Sequence, residues 1–245
     1  MSFPWLVARP IAHRGWHGAG RPENSLAAAR VAIEAGCAIE CDIQRSADGE
    51  AVVFHDDSLL RLTGVAGRIA DWPLAALRGL ELAASAERIP TLGDLLGLIA
   101  GRAALICEIK SGFDGDFRLA ARAVEIAAGY DGPLAFKSFD PEVIAYLRAG
   151  ACPRPLGVVA EADYEDPYFA ALTLAQKRDC AAFTHIGRTA PDFLSFSVDD
   201  LPHAVPTLMR ALAAKPVMAW TVRRPEQWAT ARLHADQAVF EGDIR

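Results

Sequence analysis

Glu40 and Asp42 sit two residues apart in AIECDIQRS, a run otherwise apolar enough for a buried strand, and Glu108 and Lys110 repeat that spacing in AALICEIK. Side chains two apart on a strand share a face, so Glu40 goes with Asp42 and Glu108 with Lys110, while Cys41, Cys107 and Ile109 point the other way. Three carboxylates brought together at strand ends raise one another's pKa unless positive charge lies among them. Oxygen donors in that number suit one hard divalent cation, Mg²⁺ or Ca²⁺, better than zinc. The competing reading is structural: each carboxylate is paired with Arg or Lys, and Lys110 is the obvious partner.

His13 and Arg14 close the run PIAHRG, and His55 and Asp56 close EAVVFHD. A pair of histidines beside a metal site can take one proton and deliver another across a reacting phosphorus. Arg14 and Lys110 would balance the phosphoryl oxygens. His17, His185, His203 and His234 lack this setting and are read as structural.

Residues so spread along the chain need a scaffold that gathers strand ends. The sequence alternates short apolar runs with longer periodic ones. After PIAHRG comes a helix in SLAAARVAIEAG, with Ser25 as N-cap and Gly36 as stop. AIECDIQRS and EAVVFHD read as a hairpin through Ala47, Asp48 and Gly49. A polar excursion over about 57–88 is too long for a plain loop. A helix in IPTLGDLLGLIAG and a strand in AALICEIK follow. The remaining helices fall in FRLAARAVEIAAG, PEVIAYLRAGA, PYFAALTLAQKRD, LPHAVPTLMRALAA and PEQWATARLHA, and the remaining strands in PLAFKSF, PLGVVAE, FLSFSV, VMAWTV and QAVFEG.

Apolar strands alternating with helices imply a parallel sheet covered by helices. About eight strands fit this length, and no glycine-rich nucleotide loop follows the first, so an α/β chain of the TIM (β/α)8-barrel type is expected, with a small insertion after the second strand region. No repeat or linker interrupts it, which predicts one domain over 1–245. The chain stops at Arg245, shortly after the last strand, so an eighth helix is expected to be missing. Barrel closure would then rely on another element or on a partner in a homo-oligomer.

The 245 residues are 52% hydrophobic with a net charge of −6. That is a globular composition, and the charge argues against nucleic acid or an anionic membrane surface as partner. No signal-peptide pattern or membrane-spanning run is present, so a cytoplasmic location without stable membrane insertion is expected. The five cysteines form no CxxC pair and read as reduced, packed thiols.

Taken in order, AHRG (12–15), PENS (22–25), ECD (40–42), VVFHDDSLLRLTG (52–64), IPTL (89–92), CEIK (107–110), KSFD (137–140) and WTV (220–222) resemble the glycerophosphodiester phosphodiesterase family. The resemblance implies a TIM barrel, a divalent cation on Glu40, Asp42 and Glu108, an acid-base pair of His13 and His55, and phosphate contacts from Arg14 and Lys110. It also implies cleavage of glycerophosphodiesters to glycerol 3-phosphate and an alcohol through a cyclic phosphate, with a place in lipid and glycerol metabolism. His13 is read as the first base and His55 as the acid that protonates the leaving alcohol. Trp220 is expected to stack on the glycerol or alcohol portion, against the plainer reading that it packs the interior.

The pattern departs from the commoner one at Ser25, at Arg223 and Arg224 after WTV, and at Glu241. The two arginines either add positive charge for an anionic head group or are solvated. Three alternatives stand beside the leading one. Lysophospholipase D-like action would need an apolar groove, for which Leu59, Leu60, Trp72, Leu74 and Leu77 are candidates. A non-catalytic phosphate-binding barrel should lack a histidine or carboxylate. A metal-dependent sugar isomerase leaves Arg14 and Lys110 unexplained.

Overall fold

The computed structural model describes residues 3–83 and 85–243. It divides into two compact units, one of Ile11–Lys110 with Phe117–Leu134, the other of Met1–Pro10, Ser111–Asp116 and Ala135–Arg245.

The first unit contains β1 (Ile11–Ala12), α1 (Leu26–Glu34), β2 (Ala38–Arg45), β3 (Ala51–Val53), the short α2 (Leu60–Thr63) and α3 (Leu74–Leu77), α4 (Leu92–Ile99), β4 (Leu105–Ile109) and α5 (Arg118–Ala127). β2 pairs in parallel with both β1 and β4, and turns back antiparallel into β3. Ser25 caps α1 by accepting the Ala28 N–H, and Gly36 ends it in the left-handed region at φ +70°. The β2–β3 turn is held by Ser46, whose hydroxyl donates to Asp48 at 2.6 Å and accepts the Glu50 N–H at 2.9 Å.

Between β3 and α4, residues 57–88 carry α2 and α3. Leu59, Leu62, Ile69, Leu77 and Leu82 join Val52, Phe54 and Ile89 in a buried cluster, with Trp72 and Leu74 packed against it. Of the five residues considered for an acyl-chain groove, Leu60 alone is exposed, at 58%. Their apolar surface is spent on a local core, which burial stabilises where the helices are single turns.

The second unit contains β5 (Leu134–Ser138), α6 (Pro141–Ala149), β6 (Leu156–Ala160), α7 (Leu174–Ala182), α8 (Ile186–Thr189), β7 (Phe193–Ser197), α9 (Ala204–Ala213), β8 (Val217–Val222), α10 (Pro225–His234) and β9 (Gln237–Phe240). β5 to β9 pair in parallel in chain order. The helix expected from Pro167 starts seven residues later: Pro167–Phe169 is a 3₁₀ turn, and α7 opens at Leu174. Phe169 is drawn into a buried cluster with Tyr164, Leu172 and Cys180, which bends the chain away from helix. Thr173 and Gln176 then form reciprocal capping bonds, a T-x-x-Q signal that marks the true start. α8 has no counterpart among the predicted elements.

Eight parallel strands interleaved with helices place the chain in the TIM-type (β/α)8-barrel class, with β3 as an antiparallel addition. No helix follows β9 among the described residues; the expectation of a missing eighth helix turns on Arg245, which lies outside them. No helix there is long and apolar enough to cross a membrane. All five cysteines are free thiols.

Candidate active site

β1 and β2 set Ala12 beside Ile39. The next step along that register brings His13 to Glu40, with Nε2 3.8 Å from Oε2. The chain then turns through two left-handed residues, Arg14 at φ +56° and Gly15 at φ +77°. The Arg14 N–H donates to Glu40 Oε2 at 3.1 Å and the Gly15 N–H to the Glu40 carbonyl at 3.2 Å. A Cβ at Gly15 would lie 2.9 Å from the backbone of Ala28, so only glycine lets this turn rest on α1.

β2 and β4 register Asp42 opposite Glu108 and Cys41 opposite Cys107. The alternation read from the sequence therefore puts the acids on one face and the thiols on the other. Glu40, Asp42 and Glu108 are all buried, and one carboxylate oxygen from each lies within 4.8 Å of the others. Lys110 Nζ reaches Asp42 Oδ1 at 2.9 Å and Glu108 Oε1 at 2.5 Å, while Arg14 Nε lies 3.3 Å from Asp42 Oδ2. The ion pairs foreseen as the structural reading are thus present alongside the carboxylate cluster. Burial alone would push the Asp42 carboxyl up, but Lys110 and Arg14, then His55 and His13, outweigh it and hold the group well below the usual carboxylate range.

His55 lies two residues past the end of β3. Its Nδ1 is 2.8 Å from Asp56 Oδ1, and its carbonyl accepts from Gln44 Nε2 at 2.9 Å. Burial lowers its pKa, against the opposing pull of the Asp42 carboxylate. Arg61 forks onto Asp56 at 2.5 and 2.8 Å and onto Glu23 at 2.7 and 2.9 Å. Glu23 Oε1 also accepts from Arg14 Nη1 at 2.7 Å. Burial opposes ionisation of both acids, but Arg61 and Arg14 bring Glu23 down to about 2, and Arg61 with His55 does the same for Asp56.

Glu23, Glu40, Asp42, Asp56 and Glu108 are five carboxylates, facing three permanent cations in Arg14, Arg61 and Lys110. The all-oxygen donor set of Glu40, Asp42 and Glu108 fits a hard divalent cation.

Sequence reasoning assigned no role to Glu23, Asn24, Asp56 or Arg61. Asn24, held at φ +57°, donates Nδ2 to Asp42 Oδ2 at 3.0 Å and accepts the Asp42 N–H at 3.3 Å. The signal was their position inside PENS and HDDSLLRLTG. Their partners lie up to 38 residues away, beyond any local periodicity.

Trp220 lies in the second unit on β8, partly buried and edge-on to Phe139 with ring centroids 5.4 Å apart. Its Nε1–H has no hydrogen-bond partner among the described residues. Arg223 pairs with Glu241 at 2.6 and 3.0 Å and Arg224 with Asp199 at 3.3 Å, so neither stands as an uncompensated charge. His203 caps α9 and stacks on Phe196, while burial pushes His185 down to about 4.

A profile of the glycerophosphoryl diester phosphodiesterase family matches residues 13–240. The chain is 39% identical over 110 residues to a glycerophosphodiester phosphodiesterase of Caldanaerobacter subterraneus subsp. tengcongensis, covering 42% of this chain and 45% of that protein. It is 42% identical over 94 residues to glycerophosphodiester phosphodiesterase 1 of Bos taurus, covering 34% of this chain and 28% of that one. The matches thus span less than half the length of these curated relatives. Among solved structures, an Oleispira antarctica phosphodiesterase in complex with the product sn-glycerol-3-phosphate aligns with a TM-score of 0.79 at 26% identity, over 98% of this chain and 95% of that one. A Thermotoga maritima glycerophosphodiester phosphodiesterase aligns with a TM-score of 0.72 at 23% identity, over 94% and 92% of the two chains, and shares the fold.

Proposed function

The chain belongs to the glycerophosphoryl diester phosphodiesterase family, and from that premise we propose that it hydrolyses small glycerophosphodiesters to glycerol 3-phosphate and an alcohol, with the help of one divalent cation. The observation that carries this reading is the buried triad of Glu40, Asp42 and Glu108, with one oxygen of each within 4.8 Å of the others. These three residues would hold the ion, Mg²⁺ or Ca²⁺. When bound, it supplies Lewis-acid polarisation of the phosphoryl group.

The chain's own groups supply the rest. Arg14 and Lys110 stand beside the carboxylates, where they can also meet phosphoryl oxygens. In the first step His13 takes the proton of the neighbouring glycerol hydroxyl, whose oxygen bonds to phosphorus. The phosphorus–oxygen bond to the alcohol breaks, and that oxygen takes a proton from His55. Water then opens the cyclic phosphate as the two histidines exchange roles, which returns both to their starting states. Asp56 on Nδ1 leaves Nε2 of His55 to face the leaving oxygen. Trp220, on the second unit, remains our candidate for contact with the organic part of the substrate, on the strength of its unsatisfied indole N–H.

Small diesters are favoured over lysolipids because Leu59 and Leu77 are fully buried in the insertion's own core. The test is to incubate metal-stripped protein, and protein reloaded with Mg²⁺ or Ca²⁺, with a panel of glycerophosphodiesters and lysolipids, measuring release of glycerol 3-phosphate and alcohol. Turnover is expected only after reloading. His13→Ala, His55→Ala and Glu40→Ala should each lower it at least about a hundredfold, the range for loss of an acid-base or metal group. Hydrolysis indifferent to chelators overturns the metal assignment, and near-normal turnover by His55→Ala overturns its role.

A further inference from the structure

We propose that Arg61, on the insertion helix α2, is a positioning residue for His55, acting through Asp56 and braced by Glu23 against Arg14. The inference rests on the reading of His55 as proton donor to the leaving alcohol.

The contacts form one unbroken chain from the phosphate-facing arginine to the histidine. Arg14 Nη1 donates to Glu23 Oε1 at 2.7 Å. Arg61 Nη1 and Nη2 donate to the two Glu23 oxygens at 2.9 and 2.7 Å. Arg61 Nε and Nη2 donate to the two Asp56 oxygens at 2.5 and 2.8 Å. Asp56 Oδ1 then meets His55 Nδ1 at 2.8 Å. A carboxylate next to its histidine in sequence is otherwise free to swing about its side-chain bonds. A planar guanidinium fork fixes the plane of that carboxylate, as a lysine point charge does not.

Glu23, His55 and Asp56 also offer atoms within 4.8 Å of one another, a spacing open to a second metal ion. All four oxygens of the two carboxylates are already engaged by Arg61, so the guanidinium is the cation of this cluster. The Arg61 side chain is 47% exposed, whereas that of Glu23 is 13% exposed. The arginine can therefore be replaced with little loss of packing.

The experiment compares two esters on the full chain. The alcohol of sn-glycero-3-phosphocholine needs a proton to leave, whereas the nitrophenolate of a glycerophospho-p-nitrophenyl ester does not. Arg61→Gln and Asp56→Asn are expected to lower kcat on the choline ester about 10- to 100-fold, the cost of a misplaced acid, with KM within about threefold. On the nitrophenyl ester the first-turnover release of nitrophenolate, which needs no acid and precedes the step in which His55 acts as base, should stay within about threefold of the parent. Arg61→Lys keeps the charge without the fork and is expected to behave as Arg61→Gln. Nitrogen NMR of His55 should show Nδ1 protonated in the parent and a tautomer mixture in both Arg61→Gln and Asp56→Asn.

Equal losses of choline-ester turnover and of first-turnover nitrophenolate release, or full choline-ester activity in Arg61→Gln, overturn the proposal and leave the functional reading intact provided His55→Ala is impaired. If the parent hydrolyses neither ester, it is the functional reading that fails. The His55 nitrogen signals then decide alone, and signals unchanged by Arg61→Gln overturn the positioning role.

Discussion

Lys110, Arg14 and Asn24 all meet the two oxygens of Asp42. A buried carboxylate tolerates ionisation only with such partners. The outer pair, Glu23 and Asp56, lends itself to a direct test. Both are held at about 2, from ordinary values of 4.5 and 3.8, so each binds fewer protons folded than unfolded. Their contribution to stability is therefore full above about pH 4.5 and is lost as pH falls toward 2. The melting temperature should drop across that window, and Arg61→Gln should flatten the drop. A parallel fall in parent and variant would show that Arg61 does not set these pKa values. At this scale the sequence indicated which residues could do chemistry. It did not indicate that Lys110 would lie on two carboxylates at once, because that contact depends on the β2–β4 register.

At the scale of elements, the site is built by short turns at strand ends rather than by long helices. Arg14, Gly15 and Asn24 all sit at positive φ beside the carboxylates, a conformation that costs energy for the two non-glycine residues and is held by the bonds around them. Gly15→Ala should destabilise the protein by about 2 kcal/mol or more, since positive φ costs an L-residue about 1–2 kcal/mol. The added methyl would also meet the backbone of Ala28. Urea unfolding measures this, and an unchanged midpoint would mean that the turn can shift away from α1. Elements with a strong local signature were legible: the Ser25 cap, the Gly36 stop and the hairpin around Gly49 all form where the sequence places them. α7 was misplaced because Phe169 and Tyr164 are claimed by an aromatic cluster with Phe113, Phe139 and Tyr168.

For the molecule as a whole, net charge and local charge point to the same partner. A net charge of −6 argues against a general polyanion partner, while the buried Glu40, Asp42 and Glu108 could hold a divalent cation. An ion that binds only the folded state, at about 100 times its Kd, adds about 2.7 kcal/mol of stability. In a chain of this size that corresponds to a rise in Tm of about 5–10 °C. Mg²⁺ or Ca²⁺ should produce such a rise in the parent and not in Glu40→Gln. Equal shifts in both would place the ion elsewhere.

The sequence by itself determined the TIM-type class, the alternation that sets acids and thiols on opposite faces of β2 and β4, and the family. Each of these depends on periodicity within a few residues or on motifs read in order. Tertiary structure alone decided which cation meets which carboxylate, joined Glu23 to Arg61 across 38 positions, and closed the insertion's apolar residues into a core. Ion pairs and buried clusters form where distant segments meet, and that meeting is fixed by strand register and packing, which no local pattern encodes.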